Sequence, residues 1–193
     1  WKVITAKDIA SNEKNAMSTG PFGSSISSKY FTKEGVPVIR GGNLSNKHQI
    51  QFIDEGFVYV SKEKSKEFTR SIVSAGDLIF TCWGTINQIG LIPEKSNYPY
   101  YIISNKQMKL SLNTNLAEPY YVYTLFSSHK IQHKIKAESI GSTIPGFNLG
   151  QLKAIKLLLP PFKEQQKIAK ILTTWDKAIN TTERLIENSK QQK

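Results

Sequence analysis

Apolar residues in the first two thirds of the chain come in short bursts that are rich in β-branched and aromatic side chains. VPVI (36–39), FVYV (57–60), DLIFTC (77–82), NQIGLI (87–92), YIIS (101–104) and QMKLSL (107–112) are bounded by Gly, Asn, Pro or Ser, and each predicts a strand. Two stretches carry helical spacing instead. SKEKSKEF (61–68) opens on Ser61 as an N-cap, and 117–139 sets Tyr121, Leu125, Ile131 and Ile135 on one helical stripe. Strands and helices mix without a regular βαβ rhythm, so the expected class is α+β. It comprises a globular domain with a mixed or antiparallel β-sheet and flanking helices, followed by a long C-terminal α-helix. The loops TGPFGSS (19–25), RGGN (40–43), CWGT (82–85) and SIGSTIPGFN (139–148) hold the Gly, Ser, Thr and Asn with which a scaffold displays binding chemistry.

The pattern changes at Pro160 and Pro161, after which no proline or glycine occurs up to residue 193. Pro161 suits the first helical position, and Glu164 lies near the positive end of the helix dipole. Ile168, Leu172, Trp175, Ile179, Thr182, Ile186 and Ser189 then follow in a four-three alternation, broadened by Ile171, Ala178 and Leu185. The expected division is therefore 1–158 for the globular domain and 159–193 for the helix. At 1.5 Å per residue the helix spans roughly 45 Å, more than a domain of this size covers. Part of the stripe packs on its own domain or pairs antiparallel with another helix; Ile168, Leu172, Trp175, Ile179 and Ile186 are the candidate pairing residues.

Charge narrows the class of partner. Among 193 residues, 26 Lys and Arg stand against 15 Asp and Glu, a net charge of +11, which favours a polyanion. The apolar fraction of 39% is enough for a packed core. No apolar run is long enough to span a membrane, and no secretory leader is visible, although a chain opening on Trp1 rather than Met also reads as a piece of a longer protein. Cys82 is the only cysteine, so the expectation is a cytoplasmic protein with neither an intrachain disulfide nor a cysteine-based metal site.

Catalytic signatures are missing from the sequence. An adenine methyltransferase needs an Asn/Asp-Pro-Pro-aromatic turn and a glycine-rich cofactor loop, whereas NYPY (97–100) has Tyr98 in place of the first proline and no Gly-x-Gly follows a strand. Asp77 and Glu94-Lys95 lack the spacing of a metal-dependent nuclease. His129 and His133 share a helical face without HExxH or a third ligand, so a solvated or phosphate-touching face is expected there.

WKVITAKDIA, GPFGSSI, EGVPVIRGGNL, GFVYVSKEK, SAGDLIFTCWGTINQIGLIP, SIGSTIPGFNLGQLKAIKLLLPPFKEQQKIAKIL and WDKAI occur in that order. Together they resemble the specificity subunit of type I restriction-modification enzymes, most specifically through Gly141, Ser142, Leu149, Leu152, Pro160, Pro161, Glu164, Gln165, Ile168 and Leu172. The resemblance implies a non-catalytic target recognition domain that reads part of a split sequence in double-stranded DNA, with the long helix as spacer. It also implies modification (methyltransferase) subunits and a restriction or motor subunit as partners. No cofactor would sit in this chain; S-adenosylmethionine, ATP and Mg²⁺ would belong to those partners. Family members usually carry two such domains and two helices. This chain is therefore half of a longer subunit, or a half-subunit that pairs with itself and reads a split palindrome. A non-specific nucleic-acid-binding oligomerisation module is the alternative.

Chemistry rather than resemblance selects the reading residues. Arg40 and Asn43 carry the side chains suited to bidentate contact with guanine and adenine, and Asn46, Lys47, His48 and Gln49 follow. Trp83, Thr85, Asn87 and Gln88 form a second group, with a core position as the other reading of Trp83; Lys29, Tyr30 and Lys33 form a third. Lys62, Lys64, Lys66, Arg70, Ser142, Thr143 and Asn148 are the expected phosphate anchors.

Overall fold

A computed structural model of the chain describes residues 1–45, 50–86, 88–139 and 146–192. Among these are eleven strands: β1 (Lys2–Thr5), β2 (Met17–Thr19), β3 (Phe31–Thr32), β4 (Val36–Ile39), β5 (Val58–Val60), β6 (Ile72–Val73), β7 (Leu78–Thr81), β8 (Ile89–Leu91), β9 (Tyr101–Ile103), β10 (Gln107–Leu110) and β11 (Lys156–Leu159). The α-helices are α1 (Lys62–Ser65), α2 (Pro119–Ser127), α3 (His129–Glu138), α4 (Leu149–Ala154) and α5 (Phe162–Gln191). The α+β class and the long terminal helix agree with the sequence expectation.

The strands form three sheets. β2-β10-β7-β8 is antiparallel, β3-β5-β4-β9-β6 is mixed through the parallel pair β4 and β9, and β1 with β11 makes a two-stranded ribbon. β4, β7, β9 and β10 are buried at every position; β4, β7 and β9 accordingly read as nearly continuous apolar runs, whereas β10 buries the alternating Gln107, Met108, Lys109 and Leu110. Alternation still assigns faces. Leu78 and Phe80 join the core beneath α2 and α3, while Ile79 between them joins Ile39, Tyr101 and Ile103 of the second sheet. The two larger sheets thus share one core, and α2 and α3 cover the other side of the four-stranded sheet. Phe80 and Phe126 meet edge to face with ring centroids 4.9 Å apart.

The helix expected over 117–139 is two helices. Ser128 ends α2 and starts α3 in an extended conformation (φ −63°, ψ 145°), and its hydroxyl bonds the Leu125 carbonyl at 2.6 Å. A serine offers the backbone this alternative partner, and Ser127-Ser128 concentrates the effect. The Ser61 cap forms as expected, accepting from the Lys64 amide at 3.1 Å. Pro161 is the N-cap of α5 rather than its first residue, with a carbonyl that accepts from the amides of Glu164 and Gln165. The boundary drawn after residue 158 falls on β11, whose pairing with β1 belongs to the globular part.

Gln165 fixes where the helix leaves the domain. It is fully buried, accepts from the Glu118 amide at 3.0 Å, and donates to the carbonyls of Leu116 (3.0 Å) and Pro160 (2.9 Å). Ile168, Ala169 and Leu172 pack against the first core beside it.

Cys82 directly follows β7 as a buried thiol whose pKa burial pushes up to about 11. At pH 8 about one molecule in a thousand would carry the thiolate that attacks a disulfide reagent. The native protein should therefore react roughly a hundredfold more slowly than the unfolded chain. Equal rates in a dithionitrobenzoate assay would show that this strand end opens freely.

Candidate nucleic-acid interface

Strand register brings four loops together. Ile39 is level with Ile103 in the parallel pair, so Arg40 and Ser104 leave the five-stranded sheet at one end. In the adjoining sheet Thr81 is level with Gln107 and Thr19 with Met108, so 82–86, 104–106 and 20–23 emerge there too. A bridge from Trp83 to Gly146, with the Phe147 amide donating to the Cys82 carbonyl at 2.9 Å, adds the segment before α4.

Three adjoining clefts surround Trp83 at this end. The first, of about 380 Å³, includes Arg40, Thr81, Thr85, Gln88, Asn105 and Lys106 in its lining. The second, of about 320 Å³, includes Phe22, Trp83, Asn105 and Lys106 in its lining. The third, of about 220 Å³, is mostly apolar and reaches Phe147 and Asn148. Among the described residues, none of the three linings has an Asp or Glu, while Arg40 and Lys106 are both exposed. The polar cleft elsewhere contrasts with them. It holds Glu13, Asp77 and Lys109; burial pushes the Asp77 carboxyl up and the Lys109 ammonium down, and Lys109 Nζ donates to the Ile72 carbonyl at 2.7 Å. There two carboxylates offset Lys14 and Lys109, whereas the positive charge around Trp83 has no such counter-charge in its lining.

The sequence candidates divide accordingly. Arg40, Trp83, Thr85 and Gln88 converge on the first cleft. Trp83 is 53% exposed, so the core reading is wrong; its indole lies over Gly146, where a Cβ would come within 2.7 Å of the ring. Asn43 is corrected to a structural role. It is buried, its Oδ1 accepts from the Arg40 amide at 2.9 Å, and its Nδ2 donates to the carbonyls of Ile53 and Glu55. With every polar atom engaged, it presents the Arg40 loop rather than reading a base. Gln88 is likewise turned inward, donating to the Leu44 carbonyl at 3.3 Å and bracing the two loops.

Lys33 and Lys62 sit away from Arg40. Val36 is level with Val60, so the turn before β4 and the segment after β5 lie about 13 Å along the sheet from Arg40. Tyr30 carries the ammonium groups of Lys29 (4.7 Å) and Lys64 (4.0 Å) near its ring, and Lys64 also pairs with Glu67 at 2.7 Å. Lys64 is therefore already paired, whereas Lys33, Lys62 and Lys66 are exposed. Asn148 caps α4, its Oδ1 accepting from the Gln151 amide at 2.9 Å, which leaves only its Nδ2 group as a donor of the kind a phosphate contact needs. Asn46, Lys47, His48, Gln49, Asn87, Ser142 and Thr143 lie outside the described residues.

Arg70 is at the Arg40 end, its guanidinium 5.7 Å from the centroid of the Phe22 ring. Phe22, Asn105 and Lys106 escaped the sequence reading. The signal for the last two was present: Asn-Lys between two strand runs is a turn, and a turn joining buried strands is displayed at their ends. The His129 and His133 rings stack with centroids 6.3 Å apart, and no group of three metal-ligating side chains occurs among the described residues.

On α5 the candidate pairing residues also divide. Ile168 and Leu172 are spent on the domain core, a correction to their assignment as partner contacts. Trp175 (65%), Ile179 (38%) and Ile186 (51%) are exposed, as are Ile171 and Leu185. The Tyr120 hydroxyl meets the Asp176 carboxylate, and beyond Asp176 every described side chain of the helix faces solvent.

Residues 1–189 match the family model described as the type I restriction modification DNA specificity domain. The chain is 28% identical over 191 residues to the putative type I restriction enzyme MjaX specificity subunit of Methanocaldococcus jannaschii, covering 97% of this chain and 42% of that protein. It is 27% identical to the MjaIX specificity subunit of the same organism, over 100% of this chain and 40% of the relative. Its fold matches the HsdS subunit from Thermoanaerobacter tengcongensis with a TM-score of 0.68 at 15% identity, covering all of this chain and 46% of that one. The S subunit from M. genitalium matches at 0.63 and 15% identity, over 99% and 43%. The chain thus spans less than half the length of the curated relatives it matches. A match running through both the loop-bearing sheets and the long helix places the chain in the type I restriction-modification DNA specificity domain family.

Proposed function

We propose that this chain reads one half of a split sequence in double-stranded DNA for a type I restriction-modification complex, without catalysing a reaction itself. The observation that carries this reading is the strand-end surface around Trp83, where Arg40 and Lys106 project beside three clefts free of carboxylates. Arg40, on a loop pinned by Asn43, is the base reader; Lys106, with Arg70, grips phosphate. The exposed apolar stripe on α5 then pairs antiparallel with a second specificity domain, in the same longer chain or in a second copy. Modification and restriction subunits complete the assembly and hold the S-adenosylmethionine, ATP and Mg²⁺.

Selection from a random duplex pool should enrich a defined short sequence. Affinity for it should fall with salt by about 0.9 logarithmic units per neutralised phosphate. Lys106→Ala should weaken all sequences alike and reduce that slope by about 0.9, whereas Arg40→Ala should cost about 1–3 kcal/mol and relax preference at one position. Absence of duplex binding at low salt, with the modification subunits present or not, would refute the reading.

A further inference from the structure

Phe22 is 80% exposed, yet its loop is firmly held. The Gly20 amide donates to the Gln107 carbonyl at 2.9 Å, and a Cβ on Gly20 would stand 1.8 Å from the Ser104 oxygen. Pro21 is buried, and the Ser25 amide closes the turn on the Phe22 carbonyl at 3.1 Å. One exposed ring alone is ordinary, but Phe22 shares a cleft with a second exposed ring, and apolar surface gathered in a cleft marks a binding site. Trp83, also more than half exposed, lines the same 320 Å³ cleft, together with Asn105 and Lys106.

We propose that this cleft receives a single nucleobase drawn out of the duplex, stacked between Phe22 and Trp83. Two aromatic faces supply sequence-tolerant stacking, the Asn105 amide offers both a donor and an acceptor to a base edge, and Lys106 and Arg70 stand ready for the flanking phosphates. The cleft falls in the size range of small-molecule sites, which suits one base and excludes a duplex. The absence of carboxylates from its lining favours a nucleotide over a basic peptide. The proposal rests on the DNA-reading function above.

The test reads a change of sign. Once the preferred sequence has been selected, duplexes mismatched at each position in turn are titrated with the chain alone, without modification subunits that could extrude a base themselves. At an ordinary reading position a mismatch weakens binding. Where a base is extracted, a mismatch removes part of the unpairing cost and should tighten binding by about tenfold. Phe22→Ala should reduce that gain below about twofold while leaving the salt slope unchanged, and Phe22→Trp should restore it. Because Phe22 is so exposed, these variants keep the fold, and Trp83→Phe tests the opposite wall with a ring retained. Weaker binding at every mismatched position would overturn the proposal while leaving sequence-specific recognition intact. A gain that survives in Phe22→Ala would also overturn it, by assigning the extraction to another part of the chain. Failure to bind any duplex, with the modification subunits added as well as without them, would instead refute the DNA-reading function.

Discussion

Gln165→Ala should lower the thermal unfolding midpoint by about 6–12 °C, while the adjacent, exposed Gln166→Ala leaves it within a degree or so. The alanine strands the Glu118 amide and the carbonyls of Leu116 and Pro160 in a site that the native side chain seals completely. Each orphaned buried group costs about 1–3 kcal/mol, and partial entry of water brings the total to roughly 3 kcal/mol. Gln165→Glu should fail to rescue, because a carboxylate can still accept from Glu118 but faces two carbonyl oxygens with no proton to give. Circular dichroism melts of the three variants decide the matter. A midpoint unchanged by the alanine would mean that the helix root is held by Ile168, Ala169 and Leu172 alone.

Trp175→Asp combined with Ile179→Asp should abolish antiparallel pairing without disturbing the domain. Both side chains are exposed, and past Asp176 no described side chain of α5 is buried, so the melt should stay unchanged while sedimentation at micromolar concentration shifts to the monomer. Losing the tethered second half-site should weaken binding to a two-part DNA target by about 10²–10⁴-fold and leave binding to a single half-site untouched. Unaltered assembly in the double variant would remove the stripe from the interface. The test excludes Ile168 and Leu172, because replacing residues that pack on the core would confound pairing with stability.

Those two residues show how far the sequence could be read. Their heptad spacing continues unbroken into Trp175 and Ile179, and spacing reports which positions are apolar, never which neighbour covers them. The buried strands were legible because fully enclosed strands leave uninterrupted apolar runs at 36–39, 78–80 and 101–103, and because 107–110 alternates with period two. β1, β2, β3, β6 and β11 were missed; β3 and β6 are two residues each, too short to carry a pattern. KVIT lies half exposed, MST has no apolar run, and KLLL reads as an ordinary prelude to the two prolines until its register with residues 2–5 is known. The site was partly legible, since Arg40 and Trp83 stand in loops whose composition marks them as displayed. Asn43 misled because an amide that could read adenine is equally able to bind three backbone groups, and only burial distinguishes these uses. Asn105 and Lys106 gain their place from Arg40, Phe22 and Trp83, which are far away in sequence and near only after the sheets align.

The ribbon of β1 and β11 has an architectural consequence. Lys2 pairs with Leu159, so the backbone that leads into the recognition domain and the backbone that leads out towards the helix run about 4.8 Å apart. Everything that touches the proposed DNA surface lies on the excursion between those two strands. Such an excursion can be cut out and replaced by another with the same doorway, leaving Pro160, Gln165 and the helix in place. Specificity would then behave as an exchangeable cartridge, renewed by recombination at the ribbon rather than by gradual change throughout the chain.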